Sequence, residues 1–204
     1  VHIRSDVLTI GRTKGDVVIG HDVAMSGEHA EIKRRDSGGR HAWVLRDRGS
    51  SNGTLARAVA VTLTPGTTVL LGSKRYRFEY FGGLQRGAEN SENPGTRILE
   101  DLSQTPVADL PALAEVVVPV DRAATRFLFR KTRLTIGRPG FGNDIEIDDL
   151  CLAGIHAVVT RDFSGVWQLE AKSSLNGVWV KVDQIKLINN CFFQCGEQRF
   201  RFWL

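Results

Sequence analysis

Four residues in the first third of the chain carry the chemistry. Arg12 supplies a permanently charged planar fork, suited to a phosphate dianion. Ser26 and Ser51 supply neutral hydroxyl donors. Asn52 both donates and accepts, and so can hold an extended peptide backbone. No acidic residue belongs to the set, which therefore captures an anion and has no base to activate a nucleophile. The four stand in three short stretches, Gly11-Arg12, Ser26 with His29, and Ser50-Ser51-Asn52-Gly53-Thr54. All three read as strand ends and loops, where binding groups gather on a rigid scaffold.

The elements that must position them are strands, and they occur twice. Ile10-Gly11-Arg12 returns as Ile136-Gly137-Arg138, His29-Ala30 as His156-Ala157, and Trp43 as Trp167. Asn52-Gly53 returns as Asn176-Gly177, and Tyr76-Arg77-Phe78 as Phe200-Arg201-Phe202. A period this long marks two copies of a domain rather than a solenoid. Runs such as Val7–Ile10, Ala30–Lys33, Ala42–Leu45 and Tyr76–Tyr80 alternate apolar and polar residues or are β-rich, with turn residues between them. The second copy has matching runs at Leu134–Ile136, Ala157–Thr160, Trp167–Glu170 and Val178–Val180. Neither copy shows an amphipathic helix, so each is expected to be a β-sandwich. The expected division is a domain at 1–82, a flexible acidic linker at 83–121, and a second domain at 122–204. Within the linker, the stretch from Leu110 to Val118 reads equally as a strip packed on a domain or as a short helix.

Composition narrows the class. Of 204 residues, 42% are apolar and 25% charged, ordinary values that exclude a disordered chain or a collagen-like fibre. The net charge of +4 divides into +5 over 1–82, −5 over 83–121 and +4 over 122–204. Two mildly basic blocks suit an anionic ligand but fall short of a nucleic-acid footprint, so no nucleic-acid partner is expected. No apolar run approaches the ~20 residues of a membrane helix and no secretory leader is seen, so no membrane partner is expected. Cys151, Cys191 and Cys195 form a sparse, odd set without metal-ligand spacing, read as buried reduced thiols. The expectation is an intracellular, cytoplasmic protein with no metal and no cofactor.

The pattern Gly11-Arg12, Ser26-x-x-His29, Ser50-Ser51-Asn52-Gly53-Thr54, with the late Leu71-Gly72 and aromatic strand, resembles the forkhead-associated (FHA) domain. The resemblance covers about residues 3–81 and again 126–204. It implies two β-sandwiches of about eleven short strands each, whose loops bind phosphothreonine peptides without catalysis. By this resemblance Arg12 and Ser26 bind the phosphate, Ser51 lies near it, and Asn52 grips the peptide main chain. Gly11, His29 and Gly53 shape the loops. Gly27 departs from the pattern, since a basic or amide residue usually follows the serine, and Lys14 is a candidate to compensate.

The second copy keeps Arg138, His156, Asn176 and Gly177, but has Ala153 for the serine and Leu175 for the residue before the asparagine. Two hydroxyl donors are gone, each charge-assisted bond being worth roughly 1.5–3 kcal/mol. The expected function is phosphothreonine-dependent protein–protein interaction through the first copy, the second being degenerate. The alternative is a phosphate-independent scaffold that assembles a larger complex. The expected partner is a phosphothreonine-containing protein, a Ser/Thr kinase substrate or the linker itself through Thr96 or Thr105, and no small molecule. No nucleophile–base set accompanies His29, so no enzyme is expected.

Overall fold

The computed structural model describes residues 1–37, 40–80, 102, 105–117, 124–172 and 175–204. The described residues form eighteen strands and one short 3₁₀ turn at Val107–Asp109. They pack as two compact units that do not coincide with the two repeats. Unit 1 is residues 1–57 with 180–204, and unit 2 is residues 58–179. These units cut across the division expected at 1–82 and 122–204: each unit takes the first part of one repeat and the last strands of the other.

In unit 1, one sheet joins β1 (Val7–Gly11), β2 (Val17–Val18), β3 (Ala30–Ser37), β4 (Arg40–Asp47) and β16 (Gln184–Leu187) in the order β16-β4-β3-β1-β2. The β16–β4 register sets Gln184 opposite Arg46 and Leu187 opposite Trp43. The other layer holds β5 (Thr54–Ala58), β17 (Cys191–Cys195) and β18 (Gln198–Phe202), paired antiparallel in that order. Leu8, Ile10, Ile32 and Leu45 from the first repeat share one core with Leu187, Phe193 and Phe202 from the second. Each such buried side chain is worth roughly 1.5–3 kcal/mol.

Unit 2 mirrors this. Its first sheet is β12 (Ile145–Glu146), β11 (Arg133–Gly137), β13 (Ala157–Arg161), β14 (Trp167–Ala171) and β6 (Ala60–Leu63), in that order. Here β6 takes the place that β16 has in unit 1, with Leu63 opposite Trp167. The second layer pairs β7 (Thr68–Leu71), β8 (Lys74–Glu79), β9 (Ala112–Glu115) and β10 (Arg126–Leu128). The repeats have thus exchanged their last three strands, β6 to β8 for β16 to β18.

A local reason is visible. A single residue, Val59, separates β5 from β6, and a single residue, Asp183, separates β15 (Val178–Val182) from β16. The tightest common hairpin loops need two residues. The chain therefore does not reverse at Val59 or Asp183 into a hairpin with the strand it has just left.

The expected linker is in part structured. Thr105 is half-buried and donates its N–H to Leu102 O at 3.0 Å. Beyond it, β9 extends the β8 layer, with Leu113 1% exposed opposite Phe78. Ala112–Glu115 thus resolves as a strand of unit 2, with Leu110 buried just before it. Thr96 and most of 83–121 lie outside the described residues.

Candidate functional site

Unit 1 brings the predicted residues together at one end of its sandwich. Arg12 follows directly on β1, and its N–H donates to Ser26 O at 2.9 Å. The N–H groups of Thr13 and Lys14 both donate to Gly27 O, at 3.2 and 3.0 Å, which laces the β1–β2 loop to the β2–β3 loop. Gly11 is required for that approach, because a Cβ there would lie 2.2 Å from Gly27 O.

His29 is fully buried. Its N–H donates to Ile10 O at 2.9 Å, and its Nδ1 accepts from the Ser26 N–H at 3.0 Å. The imidazole therefore orients the loop that carries Ser26. Ser26 Oγ in turn accepts from the Ser51 N–H at 3.0 Å, and Asn52 Nδ2 donates to Ala24 O at 2.8 Å. These two bonds join the β2–β3 and β4–β5 loops, and the bond from Arg12 N–H to Ser26 O ties the start of the β1–β2 loop to them. Among the described residues no carboxylate forms an ion pair with Arg12. Lys14, the candidate to compensate for Gly27, instead pairs with Glu28 at 3.5 Å, while Arg48 engages Glu28 and Glu31.

Two contributors escape a reading of the motifs alone. Asp47, at the end of β4, accepts from the N–H groups of Gly49 and Ser50 at 2.9 and 2.8 Å. It also accepts from the hydroxyls of Ser50 and Thr54 at 2.6 and 2.7 Å. Burial pushes its carboxyl up, but the bonds from Ser50, Thr54 and Gly49 outweigh that and leave it below the ordinary value. Asp47 is the brace of the Ser51-Asn52 loop. The second contributor is Lys181 from the other repeat. It packs so close over Gly53 that a Cβ there would meet Lys181 Cε at 2.4 Å, and Gly53 has φ +75. The aliphatic stem of a β15 lysine from the other repeat thus covers the residue after Asn52.

Unit 2 keeps the backbone of this arrangement and changes its surface. Arg138 N–H donates to Ala153 O at 3.2 Å, Ala153 N–H donates to His156 Nδ1 at 3.2 Å, and Asn176 Nδ2 donates to Cys151 O at 2.8 Å. His156 Nε2 donates to Gly177 O at 3.0 Å. Burial holds this imidazole below its usual pKa, and the bonds at Nδ1 and Nε2 set its tautomer. The Arg138 guanidinium lies over the Phe141 ring, 5.5 Å from its centroid. The same ring presses on Gly154, where a Cβ would meet it at 2.6 Å. Ala171 stands where Asp47 stands in unit 1, since each is paired with the alanine after its site histidine. The brace is therefore missing along with both hydroxyls. The rim is apolar instead: Leu150 is 88% exposed, Ile155 49% and Leu175 99%.

The thiols divide by environment. Cys191 and Cys195 lie on β17, and burial drives the Cys195 thiol up to about 12. Cys151 is exposed on the loop before β13, which corrects the expectation that all three are buried on strands.

A family model described as FHA domain matches residues 8–72 and 134–196. Both stretches run across the boundaries of the compact units, so they follow the repeats in sequence rather than the units in space. No curated protein matches the chain.

Proposed function

Because the chain belongs to the FHA domain family, whose members generally bind phosphothreonine peptides in signalling, we propose that unit 1 is a phosphothreonine-peptide receptor and that unit 2 is not. The observation that carries this is the bond from Ser51 N–H to Ser26 Oγ. It fixes two hydroxyl-bearing loops against each other beside Arg12. A phosphate dianion then meets the Arg12 fork and both hydroxyls, with charge-assisted bonds the main source of affinity. Asn52 sits where it can engage the main chain of the same peptide, and Gly11, His29 and Gly53 hold the loops in register. The partner is a protein carrying phosphothreonine, and the free thiols suit a cytoplasmic setting.

The test is a titration of the whole chain with matched phosphothreonine, phosphoserine and unphosphorylated peptides, repeated with Arg12→Ala and Arg138→Ala. The reading expects phosphate-dependent binding that Arg12→Ala weakens by roughly tenfold or more and Arg138→Ala leaves unchanged. Equal loss from both substitutions would assign phosphate binding to both units. Whole chain is specified because either repeat alone lacks strands of its own unit.

One observation favours a second role beside the first. The exposed Leu150, Ile155 and Leu175 give unit 2 a rim suited to a phosphate-independent protein contact. That makes it a scaffold surface within a larger complex. Binding of a partner that survives both phosphatase treatment and Arg12→Ala, but not Leu175→Asp, is the result this role requires.

A further inference from the structure

The two units present matched sheet faces that differ in charge. In unit 1, Leu8, Ile32, Leu45 and Leu187 of the β16-β4-β3-β1-β2 sheet point into the core. Side chains alternate along a strand, so Glu31, Lys33 and Arg35 of β3, Val44 and Arg46 of β4, and Lys186 of β16 lie on the outer face. Arg35, Arg46 and Lys186 are exposed, and Lys33 is half-buried. The register gathers them. Lys33 and Lys186 flank Val44 from either side, about 10 Å apart, and Arg46 lies two residues further along β4, opposite Glu31. Glu31 pairs with Arg46 at 3.9 Å and with Arg48 at 2.9 Å. Among the described residues, Lys33, Arg35 and Lys186 have no carboxylate partner.

The matched strands of unit 2 keep the register and lose the cations. Counting from His29 and His156, Lys33 matches Thr160 and Arg35 matches Asp162. Arg46, opposite Glu31, matches Glu170, opposite Val158. Lys186, opposite Val44, matches Thr62, opposite Gln168. On the neighbouring β11, Arg133 stands where unit 1 has Val7. Four cations in unit 1 thus answer to two acids and two threonines in unit 2. The fold does not demand the charge, and a face that only has to meet water accepts either sign. The cations accompany the unit that has Arg12, Ser26 and Ser51, and their strands lead away from those loops. β4 ends at Asp47, the brace of the Ser51-Asn52 loop, and β3 starts directly after His29.

We infer that the outer face of unit 1 binds an acidic tract of the same polypeptide that carries the phosphothreonine. The inference rests on the reading of unit 1 as the phosphothreonine receptor and adds the chemistry of the partner to it. The strand rise sets the spacing. Arg12 lies three residues beyond Thr9, which is level with Glu31 and Arg46, and five beyond Val7, which is level with Lys33. At about 3.3 Å per residue the cations stand about 10–25 Å from Arg12, so an extended peptide reaches them with roughly its third to seventh residue from the phosphothreonine. Ion pairs on an exposed face are individually weak and screened by salt, so the tract adds to phosphate binding and does not replace it.

The experiment uses the whole chain and phosphothreonine peptides with four glutamates, or four glutamines, starting three residues from the phosphothreonine on its N-terminal or its C-terminal side. Calorimetric titration at about 0.05 M and about 0.5 M salt is run on three proteins. These are the unaltered chain, the triple variant Lys33→Gln with Arg35→Gln and Lys186→Gln, and the charge-keeping variant Lys33→Arg with Lys186→Arg. The proposal expects one glutamate peptide to bind about tenfold tighter than its glutamine twin at low salt, with the gain lost at high salt. The gain should fall to about twofold or less in the triple variant and survive in the charge-keeping one. The glutamine peptide should bind all three proteins alike, which reports an intact receptor. Equal binding of glutamate and glutamine peptides overturns the proposal and leaves the receptor standing, as does a gain that persists in the triple variant. A glutamine peptide that binds no better with its phosphate than without it overturns the receptor reading itself, and this inference with it. A duplex oligonucleotide that binds more tightly than the glutamate peptide, and loses that affinity in the triple variant, would make the face a nucleic-acid surface and equally overturn the proposal.

Discussion

The carboxylate of Asp22 accepts a hydrogen bond of 2.8 Å from the backbone N–H of Glu197, 175 residues away in the chain. Its counterpart Asp149 accepts 2.7 Å bonds from the N–H and hydroxyl of Ser73, 76 residues away. In each case an aspartate between the second and third strands of one repeat holds the last tight turn of the other repeat. Gly196 and Gly72 make the approach possible, with φ +61 and +65, and a Cβ on either would strike the carboxylate at 2.5 or 2.4 Å.

The exchange predicts how the chain can be cut. A fragment of residues 1–82 carries the ligand loops of unit 1 but lacks β16 to β18. It should show no cooperative thermal unfolding by circular dichroism. Residues 1–57 joined by a flexible glycine-serine linker to 180–204 should unfold cooperatively, because that splice contains all of unit 1. Cooperative unfolding of the 1–82 fragment on its own would mean that the repeats close by themselves.

Asp22 also gives a pH dependence. Burial pushes its carboxyl up, but bonds from Glu197, Ala24, Gln198 and Met25 more than offset this and leave it below the ordinary value. A carboxyl lowered in the folded state stabilises fully above its unfolded pKa of about 3.9, and that contribution fades as pH falls through the lower folded value. Asp149 behaves alike. Asp22→Asn should cost about 1–3 kcal/mol near neutral pH. It should also flatten the acid limb of a denaturant midpoint measured against pH between about 5 and 2.

For the ligand site, Arg12→Ala and Ser26→Ala should each weaken phosphothreonine-peptide binding by roughly ten- to a hundredfold, the equivalent of about 1.5–3 kcal/mol per charge-assisted bond. Affinity should fall below about pH 6 as the phosphate takes up its second proton. Calorimetric titration across pH reads both effects.

Asp47→Ala tests bracing without ligand contact. Removing the acceptor of four bonds within the Gly49–Thr54 loop should reduce phosphopeptide affinity by about 1–3 kcal/mol, while Asp47→Asn keeps part of it. Unchanged affinity in Asp47→Ala would show that the loop holds its shape through Ser26 and Asn52 alone.

Unit 2 offers the converse. Ala153→Ser with Leu175→Ser restores the two hydroxyls, yet should restore little phosphate binding. The loop still has Ala171 and Val178 where unit 1 has Asp47 and Thr54, and Phe141 still covers the Arg138 guanidinium. Adding Ala171→Asp, Val178→Thr and Phe141→Ala should raise affinity well above the double substitution, read by titration in an Arg12→Ala background that silences unit 1.

The strands around Ile10, Ile32, Leu45 and Phe78 were legible because alternation marks a sheet face whatever lies opposite. The site motifs were legible because Arg12, Ser26, Ser51 and Asn52 have chemistry that turns alone do not need. Asp47 was not, since a brace contacts its own loop rather than a ligand. Nor was the exchange, because two like repeats offer each strand two acceptable partners, and alternation cannot choose between them. One signal did exist. From Leu55 to Leu63 there is no glycine, proline or asparagine, and from Val178 to Leu187 only Asp183 suits a turn. A run of that length without a place to reverse is a strand pair that does not fold back on itself.

The shared core has a bearing on why a repeat without phosphate-binding hydroxyls persists. Leu187, Phe193 and Phe202 belong to the repeat with the apolar rim, yet they fill the interior beneath Arg12 and Ser26. Loss of the second repeat would remove part of the core on which the first repeat's strands pack. Its final strands are tied to the first repeat twice over, through this core and through the bond from Glu197 N–H to Asp22.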